Sequence, residues 1–269
     1  MCSSWEGSGV DKAFVKGLKV LESLAGSASP RGASEIGRQH GLTRSNVHRL
    51  LQTLVLSGYA VRDEATGRYS ATLKLWELGG RVWAVDPFRR IVAPIAERLA
   101  AETDETIHVL FRDGDDLVFV EQIGGHDPLR SHWPLGTRMP LTQVYEDGGG
   151  MLAYQKAYVA SLADAERLAV IRAFANQLGE PEAFVGRIEE EVAEIRQFGA
   201  ALHRGEWNPA LRGAAAVFSS RPGEATGVIG CAGPAERLPP DRLAVVRRLI
   251  ADAGRTITRE MSGVVGMAV

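Results

Sequence analysis

Arg44, Ser45, Asn46, His48 and Arg49 stand almost consecutively in the chain, with Gln52 one turn further on. Arginine can grip guanine through two acceptors and asparagine can pair with adenine, so a helix presenting these groups on one face can read base edges in a DNA major groove. Thr43 immediately before them is a good N-cap, whose hydroxyl accepts from the amides of the following turn. The polar set therefore falls in the N-terminal half of a helix, the part that recognition helices bring to the bases. Further on, Arg62 and Arg68 flank a polar connection, Asp63 to Gly67, and are candidates for phosphate contact. Between Arg31 and Ser70 there are six arginines against Glu35, Asp63 and Glu64, although the whole chain has a formal charge of −2. Positive charge is concentrated where phosphates would lie.

Other residue types are weighed for other chemistry. His203, Cys231 and Glu206 are of kinds found in nucleophilic sites, but nothing around Cys231 marks a reactive thiolate. The histidines at 108, 126, 132 and 203 lack the short spacings of a metal site. Neither a catalytic set nor a cofactor or metal is expected. Gly148 to Gly150 precede a helical pattern and could cradle an anion on backbone amides. Trp133, Tyr145 and Trp207 sit in polar contexts with no obvious core stripe, which makes them candidates to wall a ligand pocket.

The elements that must position these groups follow from periodicity. Ile36 and Leu42 point inward around Gly41, a position suited to a left-handed C-cap. Val47, Leu50, Leu51 and Leu54 repeat at helical spacing and bury one face of the second helix. An earlier helix, Lys12 to Ala25, would present Phe14, Val15, Leu18, Leu21 and Leu24 to the same core. With two short strands around Asp63 to Gly67, this is a winged helix-turn-helix over residues 12–72, preceded by a disordered tail at 1–11. Leu73, Leu75, Trp76, Leu78, Val82 and Trp83 lie on a segment, residues 73–86, that is too apolar for a plain linker and invites pairing with a second copy. Asp86 and Pro87 start a further helix.

Residues 87–269 read as mixed α and β. Strands are expected at Glu105 to Phe111, Leu117 to Ile123, Met139 to Thr142, Ala200 to His203, Leu211 to Phe218 and Ala225 to Ala232. Helices are expected after the glycine cluster, at Ala163 to Asn176, at Pro181 to Gly199 and from Pro239 to about Met261. The fold class is α+β with a mainly antiparallel sheet. With 45% hydrophobic and 24% charged residues over 269 positions, the composition is that of a water-soluble globular protein. Two cysteines, Cys2 and Cys231, make neither a disulfide framework nor a zinc site, and no apolar run is long enough to cross a bilayer. A cytoplasmic location is expected.

The stretch SNVHRLLQTLVLSGYAVRDEATGRY resembles the recognition helix and wing of the isocitrate lyase regulator (IclR) family of bacterial transcription regulators. ETIHVLFRDGDDLVFVEQI, the GMLAY helix, PEAFVGRIEEEVAEIRQFG and VIGCAGPAERL follow in that family's order. The resemblance implies a GAF-like effector-binding domain at 87–269 and a homodimer or dimer of dimers on double-stranded DNA with a palindromic operator. It also implies an effector pocket at His203, Gly213, Gly230, Cys231 and Ala232, where the family often carries a carboxylate and hydroxyls. Glu146, Asp147, Gly148 and Gly149 replace the family's usual glycine loop. Loss of those polar groups should open volume, disfavour small keto acids and suit an aromatic acid, with His203 as its polar handle. The expected function is a ligand-responsive regulator, a local repressor of a catabolic operon; the alternative is an enzyme carrying an accessory DNA-binding domain.

Overall fold

The computed structural model describes residues 9–124, 131–145, 149–179, 181–221 and 223–262. Most of the N-terminal tail, with Cys2, and His126, Glu146, Asp147 and Gly148 lie outside the described residues. The chain divides into two compact units, Met1–Val85 and Asp86–Val269.

In the first unit, helix α1 (Lys12–Ala25) begins at Asp11, whose carboxylate accepts from the amides of Ala13 (2.8 Å) and Phe14 (3.2 Å). α2 (Ala33–His40) ends at Gly41, which takes the left-handed conformation (φ 63°) that turns the chain into α3 (Arg44–Leu56). Val20, Leu24, Ile36, Val47, Leu51, Ala60 and Tyr69 form the core, with Leu42, Leu50 and Leu54 packed against it. The buried stripe of α1 is rotated from the expected one: Phe14 and Leu18 are 66% and 43% exposed, whereas Val20, Ser23 and Leu24 are buried. The cause is polar. Ser23 donates to Gln39 (3.0 Å) and accepts from Arg31 (3.1 Å), which turns that face inward. Strands β1 (Ala60–Arg62) and β2 (Tyr69–Ala71) pair antiparallel as the wing, and Arg31 bridges Tyr69 from the far side. α4 (Lys74–Val85) follows and buries none of its residues.

The second unit opens with α5 (Pro87–Thr103), started by Asp86 as N-cap and Pro87 in the first turn. Its sheet has the order β5-β4-β3-β8-β7-β6, antiparallel throughout, built from β3 (Thr106–Asp113), β4 (Asp116–Ile123), β5 (Arg138–Pro140), β6 (Ala201–His203), β7 (Leu211–Arg221) and β8 (Glu224–Pro234). α5 and α9 (Pro240–Met261) cover one face; α6 (Ala153–Ser161) covers the other, backed by α8 (Pro181–Phe198), against which α7 (Asp164–Leu178) packs. Side chains alternate across a strand. His108, Gly230 and Ala215 are paired neighbours on the α6 face, while Ile107 and Cys231 are paired on the α9 face. α6 lies so deep that Ala153 through Ala160 are all buried.

Candidate nucleic-acid interface and ligand pocket

Thr43 caps α3, its hydroxyl accepting from the Asn46 amide (3.4 Å) and lying 3.3 Å from the Ser45 hydroxyl. Arg44, Ser45, His48 and Arg49 are exposed along the first turns of α3, with Asn46 half-buried beside the buried Val47. The helix thus offers four adjacent donors or acceptors to an outside partner, and Val47 and Leu51 fix its rotation. In the wing, Asp63 accepts from the Ala65 amide (2.9 Å) and the Thr66 hydroxyl (2.7 Å), and Gly67 closes the turn at φ 68°. Arg62 is half-exposed and makes a loose ion pair with Glu64 (3.7 Å). Arg68 departs from the expected phosphate contact. Its Nη2 donates to both oxygens of Glu35 (2.7 and 2.9 Å) and its Nε to the Pro30 carbonyl (2.7 Å). A guanidinium already held by a carboxylate and a carbonyl fastens the wing to α2. Glu35, which also accepts from the Gly32 amide, is held below the usual carboxylate range by that amide and by Arg68.

In the second unit, Trp133, His203, Trp207, Gly213, Cys231 and Ala232 line one cavity, together with Ser131, Leu152, Ala153, Tyr154, Leu211 and Arg212. Tyr145 stands just behind the lining, its ring 5.8 Å from those of both Trp133 and Trp207. Phe119 stacks on Trp133 at 5.1 Å. The cavity holds only about 30 Å³. An apolar cavity of roughly 150 Å³ is what accommodates benzene, so this one as it stands is too small for an aromatic ring.

The expected extra volume is absent, for a reason of register. A side chain at Gly230 would stand 2.5 Å from Cε1 of Tyr154, and one at Gly213 would fall on the Cys231 carbonyl. Tyr154 fills the room that glycine leaves. Its hydroxyl is 2.8 Å from Nδ1 of His108, a residue buried completely and pushed down to a pKa of about 4 by burial, with Gln122 opposing and His132 adding to the shift. Cys231 lends only backbone to the cavity. Its side chain is on the other face of the sheet, where burial raises the thiol pKa, so Cys231 and His203 do not converge as a catalytic pair.

His203 differs from its expected role as handle. Its Nδ1 is 3.2 Å from the Leu211 carbonyl and its Nε2 accepts from the Trp207 amide at 3.1 Å. Those partners assign the proton to Nδ1 and leave no free donor. Burial lowers its pKa, with Glu206 opposing the shift, so the ring is neutral at physiological pH. Donors at the cavity include the Ser131 hydroxyl and the start of α6: Ala153 and Tyr154 are in its first turn, whose amides have no acceptor within the helix. The indole Nε1 of Trp207 is also buried without a partner among the described residues.

Lys156, 1% exposed, binds this region from behind. Its Nζ donates to Glu191 (2.7 Å), Glu206 (2.7 Å) and the Leu202 carbonyl (3.1 Å), anchoring the segment that carries His203 and Trp207. Burial opposes the charge on Glu206, but Lys156 outweighs it and keeps the carboxyl pKa low. Tyr154, His108 and Lys156 escape a reading of the sequence, because they look like ordinary members of a helix and a strand.

Two family models match this chain, the IclR helix-turn-helix domain over residues 13–64 and the bacterial transcriptional regulator IclR C-terminal domain over residues 81–259. The HTH-type transcriptional regulator BhcR of Paracoccus denitrificans is 28% identical over 96% of this chain and 90% of its own. The HTH-type transcriptional repressor AllR of Escherichia coli K12 is 25% identical over 92% of this chain and 89% of its own. A crystal structure of an IclR homolog complexed with 4-hydroxybenzoate from Microbacterium hydrocarbonoxydans shares the fold, with a TM-score of 0.69 at 18% identity over 93% of this chain and 98% of that one. A helix-turn-helix with an exposed polar recognition face, an antiparallel ligand-pocket domain and both family matches lead to one conclusion: the chain belongs to the IclR family and is a DNA-binding transcription regulator rather than an enzyme.

Proposed function

We propose that this regulator is a local repressor of a catabolic operon and that its effector is a small aromatic acid. The observation that carries the effector reading is the ring of Trp133, Tyr145, Trp207 and Phe119 gathered at the N-terminus of α6. Aromatic walls suit a ring, and a helix N-terminus suits a carboxylate. The amides of Ala153 and Tyr154 take the part first expected of His203, and the Trp207 indole N–H gains an acceptor on the ligand. The 4-hydroxybenzoate bound to the Microbacterium hydrocarbonoxydans homolog supports the same chemical class. Because the cavity holds only about 30 Å³, binding must part the Trp133 and Trp207 rings. That movement is the effector's signal.

On the DNA side, residues 12–72 serve as the winged reader, with Thr43, Arg44, Ser45, Asn46, His48 and Arg49 at the bases and Arg62 at a phosphate. Residues 73–86 join two copies, and 87–269 form the effector domain. Trp76, Val82 and Val85 are 68%, 65% and 70% exposed on α4, apolar surface around the helix that pairing with a second copy would cover. A dimer presents two copies of α3, so the operator is a palindrome.

Calorimetric titration of the full chain with benzoate and 4-hydroxybenzoate against pyruvate and glyoxylate tests the effector class. The aromatic acids should bind more tightly, Trp207→Leu should weaken them, and affinity should stay level from pH 6.5 to 8 because backbone amides do not titrate. Tighter binding of the keto acids sinks the reading.

A further inference from the structure

On the face of the sheet opposite the aromatic pocket, a cavity of about 270 Å³ lies between the first turns of α9, the end of α8, strand β6 and the start of β7. Leu202 and Leu243 are buried in its floor, and Phe198 is an exposed apolar wall. Four guanidinium groups line it: Arg204, Arg212, Arg247 and Arg248.

Their partners leave most of that charge uncompensated. Arg247 donates to Glu194 (2.5 Å) and to the Ala200 carbonyl (2.8 Å), and its guanidinium lies 4.5 Å over the Phe198 ring. Arg204 shares Glu194 at 3.1 and 3.2 Å. Arg212 donates to two carbonyls, of Ala235 (3.4 Å) and Leu238 (2.9 Å), which orient it without neutralising it. Arg248 has no hydrogen bond or ion pair among the described residues. Asp241 is in the first turn of α9 but outside the lining. Glu194 is thus one carboxylate among four cations, and burial opposes its charge while Arg247 and Arg204 keep its pKa low.

A concave wall of one sign concentrates its field on the space it encloses, and guanidinium forks match a carboxylate in geometry. An inorganic anion would satisfy the rim and leave the floor wet; a neutral hydrocarbon would do the reverse. We propose that this cavity is a second ligand site, separate from the aromatic pocket, that binds a small amphipathic carboxylate. The head group meets Arg204, Arg212 and Arg248, and the aliphatic body lies on Phe198, Leu202 and Leu243. Among the described residues Arg212 alone borders both cavities, its backbone on the aromatic side and its guanidinium on this one.

The test is calorimetric titration of the full chain with hexanoate, hexan-1-ol and inorganic phosphate, repeated on Arg248→Glu and Ala244→Trp. Both positions are exposed on α9, so neither change enters the core, and thermal melting of each variant checks its fold. Hexanoate should bind the native protein, with hexan-1-ol and phosphate at least about tenfold weaker, and each variant should lose about tenfold or more in hexanoate affinity. Absence of hexanoate binding at millimolar concentration overturns the proposal. So does undiminished hexanoate binding in both well-folded variants, which would put the ligand in the aromatic pocket or elsewhere, or equal binding of hexan-1-ol or phosphate.

Discussion

Replacing His108 by glutamine should flatten the loss of stability that the native protein suffers on mild acidification. In the folded chain His108 is fully buried between Phe119 and Tyr154, and its pKa is about 4. In the unfolded chain it returns to about 6.5. A folded pKa below the unfolded one means that the unfolded state binds the extra proton first. The stabilising contribution of the neutral ring is therefore complete above pH 6.5 and is lost as pH falls toward 4. At pH 5 the unfolded imidazole is almost wholly protonated and the folded one is not, which costs about 2 kcal/mol relative to pH 7. Chemical denaturation at pH 7 and pH 5, followed by tryptophan fluorescence, measures it. Carboxylates titrate alike in both proteins and cancel in the difference. The native protein should lose about 2 kcal/mol more than His108→Gln between the two pH values. Parallel losses would refute the claim that a neutral imidazole is enclosed behind the pocket.

Arg44→Ala should weaken operator binding by about 1 to 3 kcal/mol and relax preference at one base position, as read by gel shift on a mutated operator series; an unchanged affinity and consensus would remove Arg44 from the reading face. Arg68→Ala should lower the melting temperature of the DNA-binding unit, because it releases the wing from Glu35, and should leave the salt dependence of DNA binding unaltered; a shallower salt slope with unchanged melting would restore Arg68 to a phosphate. Trp76→Asp together with Val82→Asp should convert the protein to monomers in sedimentation at micromolar concentration and abolish tight binding to the full operator. A native protein that sediments as a monomer would dispose of the α4 pairing.

Local rules made the DNA-binding unit legible from sequence alone. The Thr43 cap, the Gly41 turn, the stripe of Val47 and Leu51 and the Asp63 to Gly67 connection are each decided by neighbours a few residues away, and helix capping and hairpin closure act at that range. The same holds for Asp86 and Pro87 at the head of α5. The order of strands and helices in the second unit follows from periodicity, and the resemblance to the IclR family rests on contiguous runs of residues. Tertiary structure alone decided what each polar or small residue faces. Strand register set Cys231 on one side of the sheet and Gly230 on the other, and put Tyr154 into the space above Gly230. Contacts across distant stretches gave Arg68 to Glu35, closed both nitrogens of His203 and enclosed His108. The four arginines of the second cavity come from β6, β7 and α9 and their flanks, and no spacing in the chain announces that they meet. A side chain's partner depends on the sum of register, twist and packing over the whole domain, and those long-range terms leave no local mark in the sequence.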